Sequence, residues 1–290
     1  MTLRLTRRRD PRTFWLLTSP TLVILLVVGV YPLVASLWMA LNRSQVTGPS
    51  RFVGFDNFAR LAADPRFWNA IINSLAFATL ALSLELVFGL AVALALRRSG
   101  RETWLVPVFM LPMLISPVVA AVTWLMLYHP TIGLINYVLR PLIGTPAWLA
   151  NSSLALPSLV VVDIWEWTPF VFLLLRAAYL GASVEIEEAA RVDGAGRIAL
   201  FRHILLPQLA PAIGAVLLIR GIDVLKVFDT IYVMTGGGPG LSTETLGIYI
   251  YRAAFEDFNV GYAAALSYVQ FALVIVLGLL FIRRVGRTQQ

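Results

Sequence analysis

The run DIWEWTPF, 163–170, places Asp163, Glu166 and Trp167 inside one of the most apolar stretches of the chain. On a helix Asp163 and Glu166 share a face, and Trp167 lies one turn from Asp163. A carboxylate beside an indole suits a hydroxyl-rich ligand, because carboxylates accept hydroxyl hydrogen bonds and an indole covers an apolar ring face. A second set, Arg220, Asp223, Lys226 and Asp229, alternates in sign at every third residue of a later apolar stretch, and Glu85 stands in an earlier one. Three helical residues fall about 60° short of a full turn, so these four form a slanting stripe whose adjacent members can pair. A charge at membrane depth costs roughly 2.5–3.5 kcal/mol on insertion scales and therefore faces a bundle interior or a wet path. A neutralised structural ladder and a polar solute path both fit the stripe, with Asp223 its most central member. A polar packing layer competes in the same way with solute binding at Glu85, Asp163, Glu166, Trp167 and Lys226.

Other chemistries find little support. A hydrolytic carboxylate pair needs a defined gap of roughly 5–9.5 Å across a cleft, and the apolar surroundings of Asp163 and Glu166 argue against one, so no catalytic residue is assigned. The sequence has no Cys and two His, His129 and His203, which removes thiolate chemistry and leaves little for a zinc site. No cofactor is expected on the chain. GGGPG at 236–240 lacks the lysine of a phosphate-cradling G-x-x-x-x-G-K-[ST] loop and reads as a helix terminator. Protonation of Glu85, Asp163, Glu166 or Asp223 in an ion-coupled secondary transporter is a competing reading, and a non-transporting membrane scaffold is another.

The elements that must position these groups are membrane helices. Of 290 residues 59% are hydrophobic and 13% charged, and the mean hydropathy is +0.79, a bilayer composition. The net charge of +7 is dispersed in short clusters between apolar runs, which speaks against a nucleic-acid partner. The basic head and apolar run at the start resemble a secretory signal, but the run extends from about Phe14 to Leu37 and reads as an uncleaved first span. The expected fold class is an all-α polytopic membrane protein with six transmembrane helices, at about 14–40, 70–96, 104–128, 154–178, 210–234 and 260–282. Asp64-Pro65 reads as the N-cap and first-turn proline of a short interfacial helix, with Asn69 capping the second span. Pro20, Pro32, Pro107, Pro112, Pro117 and Pro169 are expected to bend spans. Basic clusters lie in the N-tail (Arg4, Arg7, Arg8, Arg9, Arg12), the second connector (Arg97, Arg98, Arg101), the fourth (Arg191, Arg197, Arg202) and the C-tail (Arg283, Arg284, Arg287). Positive segments stay on the cytoplasmic side, so both termini are expected inside. The third connector contains a short amphipathic element, and the fifth a short helical segment from Thr243 to about Phe255.

That orientation places the connector 181–209 in the cytoplasm, with the polar stretch EAARVDGAGRIALFRHILLP at 188–207. Gly181 ends the fourth span. Glu185, Glu187 and Glu188 load the first turns of a helix, where the dipole favours anions, and Gly194 breaks it. A second helix is expected from about Arg197 to Leu206, with Pro207 and Pro211 setting its angle to the next span. The small Ala189 and Ala190 permit a close seat against a protein partner.

The order Glu188-Ala189-Ala190, Gly194, Ile204, Leu206-Pro207 resembles, without a gap, the signature loop of the inner-membrane permease subunits of binding-protein-dependent ABC importers. FVGFDNF at 52–58, FDTIYVMTGGGPGLSTETL at 228–246 and FNVGYAAALS at 258–267 resemble the sugar and glycerol-3-phosphate branch. The resemblance implies a prokaryotic plasma (inner) membrane location and a permease that forms half of a path for a carbohydrate or polyol. It implies a second homologous permease, two ATP-binding subunits that carry the ATP and Mg, and an extracytoplasmic solute-binding protein. Through it the 188–207 loop is expected to dock into the ATPase and drive alternating access.

Overall fold

The computed structural model describes residues 11–44, 48–96, 102–181 and 184–288, which form two compact units. The expected basic clusters at Arg4, Arg7, Arg8, Arg9, Arg97, Arg98 and Arg101 lie outside the described residues.

The first unit comprises the chain up to Ala62 together with Arg252–Tyr268. In it α1 (Pro11–Leu25) passes through a π-helical turn, Leu26–Val30, into α2 (Tyr31–Ala40). The wide turn, closed by the Tyr31 N–H on the Leu26 carbonyl, immediately precedes Pro32, whose ring would crowd the carbonyl four residues back in a regular α-helix. Trp15–Ala40 thus remains one apolar helix, with side chains exposed along its length, as a lipid-facing span requires. A two-stranded antiparallel ribbon, β1 (Asn42–Arg43) with β2 (Arg51–Phe52), leads into α3 (Asp56–Ala63). The buried Asn57 amide donates to the Ala40 carbonyl at 2.8 Å and the Asn42 carbonyl at 3.0 Å, tying α3 to the end of α2.

The second unit runs from Ala63 to Tyr251 and resumes at Val269. α4 (Pro65–Leu96) starts at the proline itself, and Asp64 caps it by accepting the Arg66 N–H at 2.9 Å. Asp64-Pro65 thus opens the span itself and not a separate interfacial helix; the short helix of this connector is α3, and Asn69 is no cap: it lies inside α4 and donates to the Leu241 carbonyl at 2.9 Å. A proline at the first helical position lacks only an N–H that would have no helical partner, so nothing interrupts the helix.

The expected third span, 104–128, is two helices, α5 (Glu102–Met110) and α6 (Pro117–Leu127), separated by a 3-10 turn at Pro112–Leu114. Ile115 and Ser116 are extended, with ψ of 139° and 137°. Pro117 forces this on Ser116, because its ring excludes the helical conformation from the preceding residue. α7 (Leu134–Ile143) and α8 (Ser152–Leu180) follow; Asn151 caps α8 by accepting the Ser153 N–H at 2.9 Å. α8 is the most buried of the five helices that are long and apolar enough to cross a membrane, the others being Trp15–Ala40, Pro65–Leu96, Arg197–Val224 and Val260–Leu280 among the described residues.

α9 (Val184–Val192) and α10 (Arg197–Leu200) complete the 181–209 connector, but α10 is not the separate helix expected. A second π turn, Phe201–Leu205, carries it into α11 (Leu206–Val224). The turn closes from the Leu206 N–H to the Phe201 carbonyl just before Pro207, the same accommodation seen at Pro32. The expected fifth span, 210–234, is in turn cut after Val224, and the chain restarts as α12 (Asp229–Met234). Gly236 and Gly237, with φ of 56° and 92°, end α12 in the left-handed region that glycine tolerates. α13 (Leu246–Tyr251) and α14 (Val260–Thr288) follow.

The core of the second unit is the packing of α4 on α8. Ala70, Ser74, Ala78, Ala81, Gly89 and Ala93 form the buried small-residue face of α4, against which α8 places Leu159, Val162, Val171, Phe172 and Leu175. In lipid there is little hydrophobic gain from helix association, so close van der Waals approach between small residues carries it. At Gly89 a Cβ would stand 2.8 Å from Val171 Cγ1 and 3.1 Å from the Phe172 backbone nitrogen. Gly89→Leu is therefore expected to cost about 1–3 kcal/mol by overpacking, read as a lower thermal unfolding midpoint of the detergent-solubilised protein. An unchanged midpoint would show that this crossing relaxes freely.

Candidate functional site

The charges that the sequence scatters over three helices converge on one guanidinium. Arg220 of α11 donates through Nε and Nη2 to the two carboxylate oxygens of Glu85 on α4, at 3.1 and 2.9 Å. Its Nη2 also donates to Asp163 Oδ2 on α8 at 2.5 Å. Trp167, one turn beyond Asp163, lies under the guanidinium with 4.6 Å between its ring centroid and Arg220 Cζ. Glu85, Asp163 and Arg220 are all buried, and a fork-shaped cation can satisfy two carboxylates at once where an ammonium would not. Arg220 is thus neutralised mainly by acids on other helices. Within the stripe the contacts are weaker, Arg220 Nη1 to Asp223 Oδ2 at 3.7 Å and Lys226 Nζ to Asp223 Oδ1 at 4.0 Å.

Beside this bridge opens a cavity of about 390 Å³ whose lining includes Asp163, Trp167, Arg220, Asp223, Lys226 and Phe228. Asp223 and Lys226 are half exposed, so their polar ends remain available. Glu85 and Glu166 do not line it. Glu166 is buried, and Glu85 is committed to Arg220. Trp167 presents a ring face to the guanidinium, packs edge-to-face with Phe170 at 6.3 Å and still lines the cavity. Trp165 packs against Trp124 of α6 at 5.7 Å.

The break between α11 and α12 forms part of the cavity wall. Cutting a helix at membrane depth frees carbonyls, which is tolerated where protein or a wet cavity receives them. Gln270 of α14 donates to the Leu225 carbonyl at 2.9 Å, and the Lys226 and Val227 N–H groups close short turns on the Asp223 and Val224 carbonyls. Lys226, Val227 and Phe228 thereby leave the helix and face the opening. Phe228 stacks on Tyr232 at 5.1 Å, and Tyr251 packs edge-on against Tyr232 at 4.9 Å.

At the 181–209 connector α9 ends in a Schellman turn. The Gly194 N–H donates to the Arg191 carbonyl at 3.1 Å and the Ala195 N–H to the Ala190 carbonyl at 2.9 Å. Gly194 takes φ +83°, and nothing lies within 4 Å of the position a Cβ would occupy. Glycine is thus required by the backbone and not by crowding. Glu188 and Ala189 are exposed and Ala190 is half buried. Glu187 is buried and pairs with Arg191. Ile204 packs with Leu200, Leu205 and Leu209 against Tyr179; Leu206 is half buried and Pro207 exposed.

The model of the family described as the binding-protein-dependent transport system inner membrane component matches residues 85–287. The chain belongs to this family. It is 34% identical to the trehalose/maltose transport system permease protein MalF of Thermococcus litoralis, over 96% of this chain and 95% of that protein. It is 32% identical to the trehalose transport system permease protein SugA of Mycobacterium tuberculosis, over 97% and 91% respectively. Among solved structures, a bacterial ABC transporter involved in the import of the acidic polysaccharide alginate contains a chain that superposes with a TM-score of 0.84 at 25% identity, covering 97% of this chain and 99% of that one. The protein is accordingly a multi-pass inner-membrane component, a permease subunit that forms part of a translocation path and carries no ATPase site.

Within this inner-membrane component Arg220 is the residue whose place sequence reading undervalued. It stood in the alternating stripe, but its partners are 135 and 57 positions away, and no local spacing reports such pairs. A signal did exist, since Glu85 and Asp163 stand in apolar stretches where an acid needs a cation within reach, and Arg220 stands in another such stretch. Arg220→Met strands two buried carboxylates and is expected to cost about 3–5 kcal/mol, seen as loss of folded, membrane-inserted protein. The triple variant E85Q/D163N/R220M should recover most of that loss. If the triple variant is no better folded than Arg220→Met, the bridge is not what Arg220 supplies.

Proposed function

We propose that this permease carries a carbohydrate or related polyol along a path whose wall includes the cavity at the α11–α12 break. The observation that carries the reading is the pairing of half-exposed Asp223 and Lys226 with the aromatic Trp167 and Phe228 on one 390 Å³ cavity. Hydroxyl groups need both acceptors and donors, and a sugar ring has an apolar face for the aromatics. The names of the relatives, which speak of trehalose and maltose, support the solute class. Asp163, Trp167, Asp223 and Lys226 are assigned to contact with solute, and Glu85 and Glu166 to holding the helices that carry them.

Six crossings are proposed, the third made by α5 and α6 in tandem, with both termini in the cytoplasm as the basic clusters require. The 188–207 loop then faces the ATP-binding subunits. Glu188, Ala189 and the Schellman turn at Gly194 form the exposed seat, while Ala190, Ile204 and Leu206 join it to the transmembrane core and Pro207 fixes the π turn into α11. Closure of the ATPase pair on ATP would push on this seat and turn the bundle toward the extracytoplasmic binding protein. A second homologous permease completes the path.

Two experiments test this. Gly194→Asn, which tolerates positive φ, should retain ATP-driven uptake in the reconstituted complex. Gly194→Trp and Glu188→Lys should insert in the membrane yet lose uptake and solute-stimulated ATP hydrolysis. Since a Cβ at 194 has nothing within 4 Å among the described residues, normal coupling in Gly194→Trp would remove the loop from the ATPase interface. For the path, Asp223→Ala should change the concentration dependence or selectivity of uptake per assembled complex. A change confined to protein abundance would assign Asp223 to packing.

A further inference from the structure

The helix α7 is oriented opposite to the helices of a water-soluble protein. Its outward face is a continuous apolar stripe made by Leu134, Tyr137, Val138 and Leu142, with Tyr137 81% and Leu142 80% exposed. Its single polar side chain of the Asn type, Asn136, points inward and is 2% exposed. Positions 134, 138 and 142 follow one another at four-residue spacing, and 137 flanks them, so the stripe runs the length of the helix.

The rotation is locked by hydrogen bonds. The Asn136 amide nitrogen donates to the carbonyls of Pro130 and Pro146 at 3.2 and 3.3 Å, and its oxygen accepts the Trp148 indole N–H at 2.8 Å. These bonds join the two ends of the segment around α7 to its inner face. Turning the apolar stripe inward would strand every one of them, at a cost of about 1–3 kcal/mol for each buried group left unsatisfied. The exposed stripe is thus the imposed arrangement of a helix that meets an apolar medium.

The flank of the stripe identifies that medium. About 60° around the helix from Tyr137 lies Arg140, which is exposed and whose guanidinium has no ion-pair or hydrogen-bond partner among the described residues. An aliphatic stripe edged by a tyrosine and a free arginine matches the depth profile of a lipid monolayer: acyl chains below, phosphates at the edge. The helix before it, α6, likewise exposes Val119, Val122 and Met126 across the turn at 128–133. We propose that α7 is a monolayer-inserted helix, lying in the membrane surface with Leu134, Val138 and Leu142 among acyl chains and Arg140 on a lipid phosphate. The inference needs only that the chain is an inner-membrane component; in the proposed orientation the leaflet is the outer one.

The absence of Cys from the sequence makes the test direct. V138C and L142C, both at exposed positions, are each labelled with a nitroxide in the complete reconstituted complex, in vesicles of phosphatidylethanolamine and phosphatidylglycerol. Oxygen, which concentrates in the acyl region, should relax both labels more strongly than a water-soluble nickel chelate, and V138D should reverse that preference at a label on L142C. Preferential relaxation by the nickel chelate at both sites would place α7 in water. Shielding from both agents, together with cross-linking to a partner subunit, would make the stripe a protein interface. Either result overturns the proposal, while loss of solute uptake with the lipid signature intact would count against the transport reading alone.

Discussion

One buried cation organises the second unit. Arg220 is held by two carboxylates from two other helices and by the face of Trp167, so α4, α8 and α11 are joined at a single point in the interior. An unpaired charge there would be expensive, and the pairing gives these helices one relative register instead of many. The small-residue face of α4 around Gly89 permits the approach that brings Glu85 within reach. The cavity lies beside the bridge because Asp163 and Arg220 serve both, with one side committed to the network and the other lining open space.

Broken helices carry the remaining polar work. At Pro112–Pro117 the ring geometry of proline cuts a stretch whose composition alone would make one span. At Leu225–Phe228 no proline is present, and the break is held by Gln270 on the Leu225 carbonyl. At Pro32 and Pro207 a π turn widens the helix before it continues. The result at Pro207 is a single helix from Arg197 to Val224, 28 residues and about 42 Å long. Its start adjoins the Gly194 turn and its end carries Arg220. In the proposed coupling, a displacement imposed at the loop therefore acts on the helix that holds the cavity wall, with no flexible joint between them.

The 188–207 signature was legible because it is local. Its glycine falls where a Schellman turn needs positive φ, and its Ala190 carbonyl closes that turn. The membrane class was legible for the same reason, since hydropathy and length are sums over neighbours, but of the six expected spans the third is two short helices and the fifth starts earlier and ends at Val224. The interfacial character of α7 was only partly so: its amphipathic pattern could be read, but which face turns inward depends on Asn136 meeting Pro130, Pro146 and Trp148.

What the sequence by itself determined is thus the set of properties that depend on short separations: bilayer composition, the Gly194 turn and the acids and bases placed within apolar stretches. What only the tertiary structure decided is which of those charges neutralise one another and which face the cavity. Glu85 and Arg220 are 135 positions apart, and a helix break without a proline depends on Gln270 from α14. Both rest on long-range contacts that neither propensity nor spacing encodes, because the energy of a buried pair is set by the distance between helices and not by the distance along the chain.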